Sequence, residues 1–442
     1  MIHLANILVV TDDPANGEDL LGKLRRHRYQ GQVVSSQEEA VAEAEQERPD
    51  IVLLGASIKG GDPMTLTRIL RASANTADIP VCLLAADASS ELQNRALAAG
   101  VTDVLTPPIS ETKLISRLRP LVRLASMQTE LQQRGQVAQK FGIAITQSHQ
   151  RRQDDKAAAP DRILLIGKDT EALAKHLPHA QISHVADPYQ AEDGLENHSF
   201  DAAIMRPNGD PARYLDLCVQ IRNNPRLFNL PVILVADPAE IDEDSAYQHG
   251  ASGYFKDPAD PFALSHAASF LVRRQKQRWL IREAFREVEA PSVKDPATDV
   301  FSRAFFDAYV AQRVSYALNH GQPLSVGFFR VPDVENIRQR FGEEQANHLR
   351  LQVSQWISGL LRVEDMTARY EDNEFCVLLP DSPESEASLV INRIAGVLAY
   401  TDFAVRDVYE PVKVWVRVGS AELTDGDTAD SLIARARQAM IA

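Results

Sequence analysis

Cysteine is scarce: the 442 residues hold three, Cys82, Cys218 and Cys376, far apart and each inside an apolar run. An odd, scattered set excludes a disulfide framework and a thiolate metal site, and it fits reduced thiols buried in a core. Positive charge is also short. Forty-seven Lys and Arg against sixty-one Asp and Glu leave a formal net charge of -14. That balance excludes long nucleic acid held through its phosphates as a partner, though it leaves room for a local arginine pocket that takes a small anion. No apolar run approaches the roughly 20 residues needed to cross a bilayer, so membrane insertion is not expected. Met1 to Asn6 lacks the basic and apolar stretches of an export signal, and a cytoplasmic location is the expectation. His176, His179 and His184 lie close in sequence, but Leu177 and Pro178 interrupt any shared helical face, and no metal site is expected there.

What is present is a globular composition, 44% hydrophobic and 24% charged, in a chain long enough for about three domains. Short aliphatic strand candidates at Ile7–Val10, Ile51–Leu54, Val81–Leu84 and Asp103–Leu105 alternate with helical patterns. The same plan returns at Ile163–Ile166, Ala202–Met205, Val232–Val235 and Gly253–Phe255, with Gly100 and Gly250 before the last strand of each set. This internal repeat predicts two doubly wound, flavodoxin-like α/β domains, each with a parallel sheet. A long helix is predicted from Thr112 to about Gln147, a polar linker over Gln150–Ala159, and a second helix from Phe270 to Val288. The expected division is a domain at 1–125, a helical linker at 126–160, a second domain at 161–275, a linker helix at 276–297 and a third domain at 298–442.

The segments ILVVTDDPAN from Ile7 and GVTDVLTPPI near residue 105 resemble a response-regulator receiver domain. Receivers use an acidic pair, an Asp acceptor, a Thr or Ser and a Lys. The resemblance places Thr11 and Asp12 at the pair, Gly55 at the acceptor, Ala85 at the hydroxyl position and Pro107 at the Lys. In the second copy it places Gly167 and Lys168, Arg206 and Ala236 at the first three, with Lys256 one residue early. Phosphotransfer is therefore not expected, because glycine and arginine cannot accept a phosphoryl group as aspartate does; Asp12 and Asp13 read as capping residues.

The segments DPATDVFSRAFF from Asp295 and ARYEDNEF from Ala368 resemble the GGDEF family, which implies an α/β, nucleotidyl-cyclase-like fold with a mixed central sheet. Two receivers followed by such a domain resemble the PleD type of response regulator, and within it the PopA type of effector. The family's first metal-binding Asp falls at Arg330, with Pro332 two residues on, its guanine-reading Asn at Arg338 and its guanine-pairing Asp at Asn347. The signature itself reads Glu371, Asp372, Asn373, Glu374, Phe375, without either glycine. Upstream, Arg362-Val363-Glu364-Asp365 matches the family's RxxD product-binding motif, with Arg393 at its second Arg position. Arg151/Asp154, Arg152/Asp155 and Arg213/Asp216 share the spacing, but only Arg362 precedes the signature loop.

The resemblance thus implies a non-catalytic receptor that needs no cofactor or metal and binds cyclic di-GMP at Arg362, Asp365 and Arg393. Its partners would be protein ones, adaptor or protease-delivery proteins and cell-cycle regulators, recruited by a homodimer in the cytoplasm, with the cell pole as one site the family allows. Two alternatives stay open, a scaffold that binds no nucleotide and a weak diguanylate cyclase.

Overall fold

The structure, a computed structural model, describes residues 4–85, 87, 89–143, 160–177, 180–224 and 226–440. The expected polar linker at 150–159 and the last turns of the expected first long helix lie outside the described residues. The chain divides into two compact units. One is Ala5–Ala125 with Ser148–Leu280, and the other is mainly Ser126–Gln147 with Ile281–Ala442.

The first unit contains the repeat. Strands β1 (Ala5–Val10), β2 (Tyr29–Val34), β3 (Ile51–Leu54), β4 (Val81–Leu84) and β5 (Asp103–Leu105) form a parallel sheet of order β2-β1-β3-β4-β5. Helices α1 (Pro14–Arg25), α2 (Gln37–Glu47), α3 (Pro63–Ala72), α4 (Ser90–Ala99) and α5 (Glu111–Lys140) connect and follow them. The second copy repeats that order with β6 (Asp161–Gly167), β7 (Ala180–Val185), β8 (Ala202–Arg206), β9 (Val232–Ala236) and β10 (Gly253–Lys256). Its helices are α6 (Glu171–Ala174), α7 (Pro188–Asn197), α8 (Pro211–Asn223), α9 (Glu243–Gln248) and α10 (Pro261–Val288).

Four strands were expected in each copy and five are present. The additional ones, β2 and β7, are edge strands with mixed exposure. An edge strand needs no continuous apolar run, so it leaves none in the sequence. Helix α10 begins nine residues ahead of the expected Phe270, because Asp260 accepts from the amides of Phe262 and Ala263 and Pro261 occupies the first turn. Helix α5 stops at Lys140, where Gly142 at φ +80° lets the amide of Ile143 bond Ala138 O.

The two copies share an arginine brace that periodicity does not show. Arg71 on α3 donates to Gly100 O, Ala77 O, Ile79 O and Thr102 Oγ1. Arg222 on α8 donates to Gly250 O, Phe228 O, Leu230 O and Ser252 Oγ. The copies also pack on each other. Arg117 joins Asp103 to Ser252 O at 2.9 Å, and Lys113 meets Glu243 at 2.9 Å.

In the second unit, α11 (Arg303–His320), β11 (Leu324–Arg330), α12 (Asp333–Phe341), α13 (Glu343–Gly359), β12 (Met366–Glu371), β13 (Glu374–Pro380), α14 (Glu384–Tyr400), β14 (Arg417–Glu422) and α15 (Ala429–Ala439) surround a sheet of order β12-β13-β11-β14. All three strand pairings are antiparallel. The parallel part of the expected mixed sheet is, among the described residues, one bridge, Phe301 to Ala368, since β13 and β14 both run opposite to the central strand β11 and β12 turns back on β13 as a hairpin. The segment Ser126–Lys140 of α5, expected as a linker, belongs to this unit: Val137 and Ala138 sit in its core with Phe305, Tyr309 and Val293.

Candidate functional site

The β12–β13 hairpin brings the signature residues opposite the end of β11. Glu371 pairs with Glu374 across a two-residue turn, Asp372–Asn373. Neither turn residue has a positive φ, so the turn requires no glycine. Arg330 stands directly across the sheet from Glu374 and donates through Nε to Glu374 Oε1 at 2.7 Å. From α15, Arg437 donates to Glu374 Oε2 and Glu371 Oε1, both at 2.8 Å. The Glu374 side chain is 2% exposed, so both its oxygens are spent on guanidinium groups inside the protein.

The neighbouring positions are engaged in the same way. Arg350, fully buried on α13, donates to Asn347 Oδ1 at 2.6 Å, to the carboxylate of Glu343 and to Asp372 O. Arg338 pairs with Glu335 at 2.6 Å and lies 3.7 Å from Asp372, which also receives Arg369 at 3.0 Å. Among the described residues, no group of three or more His, Cys, Asp or Glu could hold a metal ion; His179 lies outside the described residues.

Arg362, Asp365 and Arg393 converge at a second place. The amide of Arg362 donates to Asp365 Oδ2 at 2.8 Å, and the amide of Asp365 donates back to Arg362 O. Arg393, exposed on α14, donates to Leu360 O at 3.2 Å at the entry of the same turn. The family resemblance counts Asp365 among the ligand residues. In the structure Asp365 is 9% exposed and its carboxylate closes the turn, which leaves the exposed guanidinium groups of Arg362 and Arg393 facing solvent.

Sequence reasoning missed the residue that grips this turn from behind. Arg134 on α5, 2% exposed, donates to Val363 O at 3.4 Å and to Glu364 O, and it lies over the Phe285 ring at 4.7 Å. One turn earlier, Glu130 forms an ion pair with Arg313, 2.7 Å from Oε1 to Nε, and accepts from the hydroxyl of Tyr309, all of them buried. Burial pushes the Glu130 carboxyl upward, against the pull of Arg313 and Arg134. Asp381, whose carboxylate accepts from Ser126 Oγ, is likewise raised by burial, with Arg313, the Ser126 bond and Arg362 opposing. A helical arginine gives no sign in sequence that it will be buried; only its position one turn after Glu130 was available.

In the first receiver-like copy, Thr11, Asp12, Gly55, Ala85 and Pro107 all line one cavity of about 660 Å³. Five positions scattered over nearly a hundred residues are thus brought together. Asp13, not Asp12, caps α1 through the amide of Asn16. In the second copy Arg206 donates to Asp257 Oδ2 at 3.0 Å and to Asp169 O. The residue after Lys256 is therefore the one that faces the acceptor position, and the pair carries a cation at the acceptor and an anion beside it.

Residues 292–442 match the family described as diguanylate cyclase, GGDEF domain, and residues 7–119 match the response regulator receiver domain. The chain is similar to the response regulator PleD of Caulobacter vibrioides, 26% identical over 442 residues that cover 98% of this chain and 95% of PleD. Its first domain is similar to the phosphate regulon transcriptional regulatory protein PhoB of Klebsiella pneumoniae, 31% identical over 120 residues, 27% of this chain and 52% of PhoB. Among solved structures it is similar to the GGDEF domain of DgcB from Caulobacter crescentus in complex with c-di-GMP, at 19% identity and a TM-score of 0.33, covering 34% of this chain and 87% of that one.

Proposed function

We propose that this chain, a PleD-like protein with a receiver domain and a GGDEF domain, binds cyclic di-GMP at its RxxD turn without synthesising it. One observation carries the reading: Arg330 and Arg437 hold both oxygens of Glu374. Diguanylate synthesis uses carboxylates to hold divalent cations against the triphosphate. Here a guanidinium stands at the expected carboxylate position and saturates the signature Glu, so these residues do not fit a magnesium ion. The guanine side is closed by the same means, since Asn347 Oδ1 is held by Arg350 and Arg338 is held by Glu335.

The RxxD turn has the opposite character. Two guanidinium groups reach solvent from a turn fixed by Asp365, Arg393 and Arg134. A planar guanidinium fork bonds the O6 and N7 edge of guanine or a phosphate in bidentate fashion. With chemistry absent, the output is recruitment: the ligand-bound form presents a surface to protein partners. Adaptor and protease-delivery proteins, cell-cycle regulators, a homodimeric state and a polar location are the form this takes in the PopA type that the chain resembles.

Isothermal titration of the full chain with cyclic di-GMP is the test. Saturable heat is expected from the unchanged protein, and its loss in Arg362→Ala and in Arg393→Ala. Absence of heat from the folded, unchanged protein would refute the reading in favour of a nucleotide-independent scaffold, which the packing of the two receiver-like copies through Arg117 and Lys113 favours. Release of pyrophosphate from GTP with magnesium would refute it in favour of a cyclase.

A further inference from the structure

The arginine brace sets the two receiver-like copies in register residue by residue. Ala77 O and Ile79 O take the places of Phe228 O and Leu230 O, so Asp78 corresponds to Asn229. At the first copy, Arg71 feels Arg273 as a second cation and Asp78 as the balancing anion, and Asp78 pairs with Arg48 at 2.6 Å. At the second copy the corresponding residue is a neutral amide.

The surroundings of Arg222 show the consequence. Arg119, Arg123, Arg274 and Arg278 join it around a cavity of about 470 Å³, and no Asp or Glu lines that cavity. Arg222 and Arg278 are braces, each bonded to backbone carbonyls. Arg274 is different. It is 2% exposed, it pairs with Asp103 at 3.4 Å, and its buried Nε–H has no hydrogen-bond partner among the described residues. Burial pulls it down to about 10. Arg123 Cζ stands 4.1 Å from the centre of the Phe228 ring, which gives the cavity an aromatic wall beside a cation. Five guanidinium groups around a cavity that no Asp or Glu lines, in a chain of net charge -14, concentrate positive charge where an entering anion would meet it.

We propose that this cavity binds a small phosphorylated anion of the pyrophosphate class, free or carried by a nucleoside. The volume suits a ligand no larger than a nucleoside diphosphate, and guanidinium forks match phosphate oxygens in pairs. The site is separate from the RxxD turn and shares no residue with it. Its specificity lies in Asn229, where the first copy carries the carboxylate of Asp78.

Equilibrium dialysis of the full chain against labelled inorganic pyrophosphate, with ADP in a second arm, tests this. Saturable binding is expected, weakening as salt rises. Affinity should fall at least tenfold in Arg123→Ala and in Asn229→Asp, and it should be unchanged in Arg362→Ala. Asn229→Asp installs the residue that the first copy already accommodates, so its melting temperature is expected to stay near that of the parent. Equal affinity for the two probes supports recognition of the phosphates alone, and tighter binding of ADP supports an added contact of the base with Phe228. Lack of saturable binding of both probes, full affinity in Asn229→Asp, or loss of binding in Arg362→Ala would each overturn the proposal.

Discussion

Replacing Arg330 by aspartate reverses the charge at the one contact on which the functional reading turns. Arg330 and Glu374 are direct cross-strand partners, the first 29% and the second 2% exposed. Removing one partner of a buried pair costs about 3–5 kcal/mol. Arg437 remains on Oε2 and Arg330 is partly solvated, so the loss here is about half, roughly 2 kcal/mol. A like charge directly opposite adds about 1 kcal/mol more. A total of ~3 kcal/mol lowers the melting temperature of a domain of this size by about 6–12 °C.

The same substitution recreates two facing carboxylates, a hard-oxygen pair suited to magnesium. Ligand linkage then returns about 1.4 kcal/mol at ten times the dissociation constant. Differential scanning calorimetry with and without magnesium should therefore show destabilisation of Arg330→Asp and partial rescue by magnesium in the variant alone. Incubation with GTP should still yield no cyclic di-GMP, because Asn347 and Arg338 keep their protein partners. The reasoning fails if the variant melts with the parent, or if magnesium stabilises the parent as much as the variant.

Arg134→Ala should weaken cyclic di-GMP binding at least tenfold in calorimetric titration, since two turn carbonyls lose a charged donor worth about 1.5–3 kcal/mol; Arg134→Lys should recover part of it. Arg313→Ala leaves Glu130 buried without its nearest cation and should cost about 3–5 kcal/mol in urea unfolding, most of it regained when Glu130→Gln is added. Arg71→Ala and Arg222→Ala each strip three carbonyls of their donor and should destabilise by similar amounts, at least ~2 kcal/mol. Cys82, Cys218 and Cys376 are buried, burial raises all three and Cys218 to about 12, so Ellman's reagent should titrate none of them near pH 8 until denaturant is added.

How far the sequence could be read follows from which interactions leave a local mark. Central strands such as β3 and β9 are buried on both faces and print an unbroken aliphatic run, IVLL or VILVA, whereas β2 and β7 are half-exposed edges and print none. The repeat, Arg362 and Arg393 were legible because spacing survives in sequence. The burial of Arg134, Glu130 and Arg313 was not, since a charged helical residue reads as solvated until its partner, some 180 residues away in the case of Glu130 and Arg313, is placed beside it. Asp365 shows the intermediate case: its identity and position were readable, but its bond to the Arg362 amide depends on the fold of the turn. The exchange of Asp78 for Asn229 is subtler again. Both residues stand in plain view, yet their correspondence has meaning only once Arg71 and Arg222 are seen to bond the same carbonyls across connections of equal length. Where function is set by which charge has lost its partner, pairing must be known before composition can be interpreted.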